Sequence, residues 1–236
     1  YKVRQRPVGP IIDEIKILSE KYRAQHINFC DDIFTINKKW VWELCDRLRE
    51  AQLDIKWDAS ARVNLVDKEI IECMKSAGCI LIGYGFESCS QKILDLMNKR
   101  ATVEQARKAY HLMRKIGVEI NHTFMIGYPG ETLQTIRETV DFCKELGIGA
   151  NFFYTTPYPG TQLYEWAKSA GKITDEEQYF ELISTKGDVS DLVINLTDFT
   201  DEQLIGLKRK AELETRMNPR HLYQRAMYWI TQHNFK

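Results

Sequence analysis

Five short stretches of alternating hydrophobicity recur along the chain, beginning near residues 26, 55, 79, 118 and 150, and a run with helical spacing follows each. Starts 24 to 39 residues apart leave room for one covering helix between successive strands, the spacing of βαβ units. Such units build a parallel sheet, because a strand that returns past a helix re-enters the sheet in the same direction. The chain opens on a helical stripe, Ile11, Ile15, Leu18 and Tyr22, so a βα series of this kind is expected to lack its first strand.

Local punctuation supports the same division. Asn37, Asp67, Thr132 and Thr161 are candidate helix caps, and Thr102 with Gln105 and Thr200 with Gln203 form capping boxes. Gly78, Gly117, Gly147 and Gly171 are candidate stops. Tyr1–Pro10 reads as the tail of a loop, and Glu119–Thr132 reads as a strand, a tight Gly-Tyr-Pro-Gly turn and a helix start. Beyond about residue 172 the alternation stops. Gly187–Thr197 is irregular, and two helices follow, the second with Leu222, Ala226, Trp229 and Ile230 on one side. The expected organisation is a βα domain over 1–173 and a mainly helical appendage over 174–236.

Thirty-three basic residues balance 33 acidic ones, which argues against nucleic acid as the main partner, since phosphate binding leaves a basic excess. The longest apolar runs are too short for a transmembrane segment, and no secretory signal is visible. Six cysteines, at 30, 45, 73, 79, 89 and 143, make no C-x-x-C or similar metal knuckle, and most of them read as small buried hydrophobes of a cytoplasmic protein.

The phase of the polar residues bears on function. Asp58, Ser60 and Arg62 alternate with Trp57 and Ala59; Gly83, Gly85 and Glu87 alternate with Ile80, Ile82 and Tyr84. His26, Asn28 and Cys30 oppose Ile27 and Phe29, and Asn121 and Thr123 oppose Ile120 and Phe124. The apolar side of each strand suits a covering helix. A closed barrel fills its interior with branched apolar side chains. A polar, glycine-rich side leaves unpaired groups that cost about 1–3 kcal/mol each when dry, so it suits a ligand or water. Asn28, Asp58, Asn121 and Tyr154 are therefore candidate substrate-pocket residues.

In parallel α/β folds ligands sit at the carboxyl ends of strands, where this chain carries Asp31-Asp32, Arg62, Glu87 and the Gly127–Thr132 turn. Asp31-Asp32 suits either a cationic group or a solvated turn. Arg62 suits a carboxylate held by its planar fork, or a surface ion pair. Glu87 suits a ribose, or the start of a helix, where the dipole favours a carboxylate; Lys99-Arg100 lies at a helix end, where basic residues are favoured anyway. His122 falls in the apolar phase and reads as structural, and Tyr154 and Tyr158 flank a turn that shapes a loop or lines a pocket.

The stretches INFCDDIFTIN, WDASARVN, AGCILIGYGFES, LMNKRAT, FMIGYPGET and PYPGTQLYEWAKSAGKI, in this order, resemble the radical S-adenosylmethionine (SAM) enzymes. They are most similar to the cobalamin-associated branch, which includes the anaerobic oxidative cyclase of magnesium-protoporphyrin monomethyl ester. The resemblance implies a partial (β/α)6 barrel with SAM across the strand ends and a [4Fe-4S] cluster on its methionine moiety. It implies a reaction in which SAM is reductively cleaved to methionine and a 5′-deoxyadenosyl radical that abstracts hydrogen from substrate. On that resemblance, Asp31 and Asp32 hold the methionine amino group, Arg62 or Lys99 its carboxylate and Glu87 the ribose, and Thr123 to Gly127 shape the adenine site. A small-molecule substrate and an electron donor are the implied partners, with cobalamin as a further cofactor if the parent protein carries the corresponding domain. The cluster loop, C-x3-C-x2-C, is absent from the sequence, so the expectation is the downstream part of a longer enzyme.

Two other readings stand beside this one. A non-catalytic α/β binding or scaffold module would also account for the missing cysteines. A barrel enzyme using Asp31, Asp58 and Glu87 as acid–base groups would account for the polar side. The substrate is not legible, because pocket residues vary with chemistry on one fold.

Overall fold

Side-chain caps set where the helices begin. In the computed structural model, which describes residues 3–65, 67–186 and 189–233, Asn37 accepts from the Trp40 amide, Asp67 from Ile70 and Thr161 from Tyr164. Thr102 with Gln105, and Thr200 with Gln203, form reciprocal boxes as expected, and Thr132 forms another with Thr135. Each cap satisfies amide groups that the first helical turn leaves without carbonyl partners.

The elements run α1 (Val8–Tyr22), β1 (His26–Phe29), α2 (Lys38–Glu50), β2 (Lys56–Ala61), α3 (Lys68–Ser76), β3 (Cys79–Glu87), α4 (Gln91–Leu96), α5 (Val103–Ile116), β4 (Glu119–Ile126), α6 (Leu133–Leu146), β5 (Phe152–Tyr154), α7 (Gln162–Ser169), α8 (Glu176–Lys186), α9 (Asp201–Arg216) and α10 (Pro219–His233). The strands form one sheet in the order β1-β2-β3-β4-β5, with parallel pairing of β1 to β2, β2 to β3 and β4 to β5. The α/β class expected from the spacing is the class observed. The chain packs as two compact units, Tyr1–Gly85 with Ala101–His122 and Phe86–Arg100 with Thr123–Lys236.

In the first unit the apolar side of β2 buries Trp57 and Ala59. Trp57 stacks edge-on against Phe29 and tilts against Phe34, and its indole N–H donates to the Ala77 carbonyl at 2.7 Å. Gly78, at φ +97°, makes this possible: a Cβ there would lie 2.5 Å from the Ile55 carbonyl oxygen. Three details differ from the sequence reading. Helix α1 starts at Val8, inside the expected loop, because Pro10 sits in the first turn, where no carbonyl partner is lost. Residues 1–2 of that loop, and 187–188 of the irregular stretch, lie outside the described residues. Ile80, placed by phase among the buried residues, is 42% exposed. The register skips it, pairing Trp57 with Cys79 and Asp58 with Leu81, so a β-bulge returns the following residues to the expected alternation.

In the second unit Phe86, Phe124, Phe142 and Phe152 form an aromatic core. Helix α8, absent from the sequence reading, packs Tyr179 into a cluster with Tyr164, Ala167, Ile173 and Leu196. Helix α9 lies along the outer edge of β5. Glu212 accepts from the Phe152 amide and Thr215 from the Ala150 amide, both at 3.1 Å, while the Val189 carbonyl accepts from Tyr154 at 2.7 Å. Helix α10 is anchored by polar bonds: the first half, Arg220, His221 and Gln224, bonds the Glu145, Gly147 and Leu146 carbonyls at the end of α6. The apolar side that carries Leu222, Trp229 and Ile230 is exposed. These three bonds lie in the first two turns.

Candidate functional site

Period-two geometry places His26, Asn28 and Cys30 on one side of β1 and Asp58 on the same side of β2, with Asn28 directly opposite Asp58. In the first unit these residues form a chain of polar contacts. Asn28 Nδ2 donates to Asp58 Oδ2 at 2.6 Å, His26 Nε2 lies 3.0 Å from Asp58 Oδ1, and the Cys30 thiol donates to Asn28 Oδ1 at 3.0 Å. Two candidate pocket residues, Asn28 and Asp58, are thus brought together, and His26 and Cys30, whose phase was noted but whose contacts were not foreseen, flank them. Asp31 and Asp32 lie exposed in the turn after β1, Arg62 is half-buried directly after β2, and Asn121 is exposed on β4.

The second unit carries the end of β3, the turn after α4 and the turn after β4. Glu87, the last residue of β3, has the left-handed backbone angle φ +61°, which a non-glycine residue rarely adopts. Among the described residues Arg23 and Gln52, at helix ends of the first unit, share that conformation, and in this unit so do Asn98 at +50° and Arg100 at +52°, on either side of Lys99. The turn they make carries Lys99 across to Glu87, and Nζ donates to Oε1 at 2.6 Å. The two side chains are 20% and 25% exposed. Strained backbone of this kind persists only where surrounding contacts over-determine it, and it gathers at functional sites.

The β4 turn is tied to the same place. Tyr128 donates its hydroxyl to the Leu96 carbonyl at 3.1 Å, and a Cβ on Gly130 would lie 3.2 Å from Leu96 Cδ1. Gly127, at φ +93°, packs beneath Leu204 of α9. Its amide donates at 2.6 Å to Glu131, a carboxylate only 6% exposed. Burial pushes the Glu131 carboxyl up to about 7, and the amides of Gly127 and Tyr128 oppose that rise. Glu131 was not among the expected site residues. The signal available was an acidic residue inside a Gly-Tyr-Pro-Gly-Glu turn, before the helical stripe begins. Thr123 is half-buried on β4. Tyr154 is buried, with Lys208 Nζ 5.4 Å from its ring centroid, so α9 covers it.

The sequence profile of the radical SAM superfamily matches residues 1–143. The chain belongs to the radical SAM superfamily. A relative described as an uncharacterised methyltransferase, from Pyrococcus horikoshii, is 36% identical over 220 residues, covering 93% of this chain and 47% of its own length. The anaerobic magnesium-protoporphyrin IX monomethyl ester cyclase of Rubrivivax gelatinosus is 28% identical over 179 residues, covering 75% of this chain and 32% of the cyclase. This radical SAM chain therefore spans less than half the length of these curated relatives. Among solved structures, the radical SAM methyltransferase TsrM of Kitasatospora setae, with cobalamin and a [4Fe-4S] cluster bound, superposes with a TM-score of 0.63 at 20% identity, over 72% of this chain and 33% of TsrM. That likeness establishes the fold: a partial (β/α)6 barrel with outer helices, followed here by the helical segment through α10.

The family uses SAM and a [4Fe-4S] cluster. The described residues do not fit the cluster. No group of three or more His, Cys, Asp or Glu side chains among them could hold a metal, and of the six free cysteines only Cys30 is exposed. The Glu87 carboxyl offers acceptor oxygens at a strand end, the chemistry that the two hydroxyl donors of a ribose require.

Proposed function

We propose that this chain carries the adenosyl-binding part of a radical SAM enzyme. Glu87 accepts the ribose hydroxyls, and Thr123 to Gly127 shape the adenine side. The observation that carries this reading is Glu87 held in a left-handed conformation at a strand end, where the α4 and β4 turns are bonded to each other. Asp31, Asp32 and Arg62 keep the roles that the resemblance implies for the methionine amino and carboxylate groups. In the family the cluster supplies the electron that cleaves SAM, yielding the 5′-deoxyadenosyl radical for hydrogen abstraction.

The whole protein's reaction is proposed to be a methylation or an oxidative cyclisation of a small molecule, with an electron donor as partner. The relatives support this breadth, since they include methyltransferases and a cyclase. The matched relative structure TsrM has cobalamin bound, which supports cobalamin as a further cofactor of the whole protein. We place the enzyme in the cytoplasm on its free, mostly buried thiols, and no helix of the described residues is long and apolar enough to cross a membrane. The division at 1–173 and 174–236 is proposed as the boundary between the family barrel and the appended helices.

Equilibrium binding tests the reading. SAM titrated into the purified chain should bind saturably, and Glu87→Ala should weaken it on the order of tenfold or more. Failure of the parent chain to bind any adenosyl compound at millimolar concentration rejects the adenosyl site.

A further inference from the structure

The resemblance gives the methionine carboxylate to Arg62 or Lys99, but the structure gives Lys99 the Glu87 carboxylate as a partner. Lys99 Nζ lies 2.6 Å from Glu87 Oε1, and the two charges are three-quarters shielded from solvent or more. At such shielding a polar group left without a partner is costly, so the contact with Lys99 fixes Glu87 in place. The backbone explains why Lys99 meets Glu87. Helix α4 ends at Leu96, and the left-handed residues Asn98 and Arg100 turn the chain sharply on both sides of Lys99. Backbone bonds brace that turn: the Lys99 amide to the Leu94 carbonyl at 3.0 Å, and the Asn98 amide to the Asp95 carbonyl at 3.0 Å. Glu87 is fixed from its own side by the segment that follows it. The Cys89 amide donates to Thr139 Oγ1 at 2.9 Å, and the Ser90 amide to Ser88 Oγ at 3.1 Å.

We propose that Lys99 is a positioning residue for Glu87 and does not hold the ligand's carboxylate. This rests on the adenosyl reading above and assigns the division of labour inside it. A carboxylate offers about four acceptor positions, and a vicinal diol needs two. Lys99 occupies one on Oε1 and leaves Oε2 whole, so the pair can receive a ribose without separating. Glu87 is thereby held in a fixed position before the ligand arrives.

Two probes that differ in the amino-acid part separate the alternatives. S-adenosylhomocysteine carries ribose and an amino-acid carboxylate; 5′-methylthioadenosine carries ribose and no carboxylate. Both are titrated into the parent chain, Lys99→Met and Lys99→Arg, with folding checked by circular dichroism. If Lys99 positions Glu87, Lys99→Met weakens both probes by the same factor, on the order of tenfold, and Lys99→Arg restores most of the binding to both. If Lys99→Met weakens S-adenosylhomocysteine alone, or neither probe, the assignment is overturned. Should Lys99→Met not fold, Lys99→Arg and Glu87→Gln still decide it. Glu87→Gln must weaken methylthioadenosine, and Lys99→Arg must keep the parent ratio between the probes. The adenosyl reading fails separately, if the parent chain binds neither probe.

Discussion

Glu131 is a carboxyl group that its surroundings hold in the protonated form more readily than water does. Burial raises it from 4.5 to about 7, and only the two turn amides work the other way. A carboxyl raised on folding binds its proton more tightly in the native state, so its stabilising contribution is complete below about pH 4.5 and is lost as pH rises towards 7. A shift of that size corresponds to about 3 kcal/mol. Glu131→Gln keeps an oxygen for the Gly127 amide and removes the titration. Urea unfolding from pH 5 to 8 should therefore show the parent losing stability and the variant losing less, and parallel curves would refute this account. That Asn28 and Asp58 share one side of neighbouring strands was legible, because strand phase needs only the local pattern. Glu131 and the partner of Lys99 were not legible, since each depends on a turn folding back on residues 4 and 12 positions away.

The β5 edge shows how an element can depend on chain far from it in sequence. Outward amides of a terminal strand invite pairing with another chain unless something covers them. Here Glu212 and Thr215, 60 and 65 positions from the amides they accept from, supply the acceptors. Glu212→Leu leaves the Phe152 amide without its acceptor, which costs about 1–3 kcal/mol for a shielded donor. The expected outcome is a lower unfolding midpoint and faster hydrogen exchange at Phe152, with unchanged exchange at Trp57 as the control. Gly78→Ala acts on another strand. Its Cβ would sit 2.5 Å from the Ile55 oxygen at a backbone angle of +97°. A loss of about 1–3 kcal/mol or more is expected in chemical denaturation, and a loss under a few tenths would contradict the close approach. The caps and glycine turns were readable in the sequence because each is a short-range device. The bulge at Ile80 was not, since it exists only in the pairing of β3 with β2. Helix α8 was missed because, apart from Tyr179, its residues are not buried, which leaves little stripe to read.

For the molecule as a whole, ligand binding and stability are linked. A ligand that binds only the native state stabilises it by about 2.7 kcal/mol at a hundredfold excess over its dissociation constant. SAM should therefore raise the thermal midpoint of the parent chain in proportion to the logarithm of its concentration, and much less in Glu87→Ala. Equal shifts in both would remove Glu87 from the site. The same measurement in rising salt checks the balance of charge, 33 against 33: a small salt dependence is expected, because no basic excess draws the ligand in.

The order of the five strands, most of their helices and caps, most of the apolar and polar sides and the membership of a family followed from the sequence, because these depend on spacing and local chemistry within a few residues. The tertiary structure alone decided that Lys99 lies on Glu87, that Glu131 is buried under its own turn, that α9 closes the β5 edge and that the apolar side of α10 stays exposed. Those outcomes depend on which surfaces meet after the chain folds back on itself. Local periodicity carries no record of the partner a side chain will find.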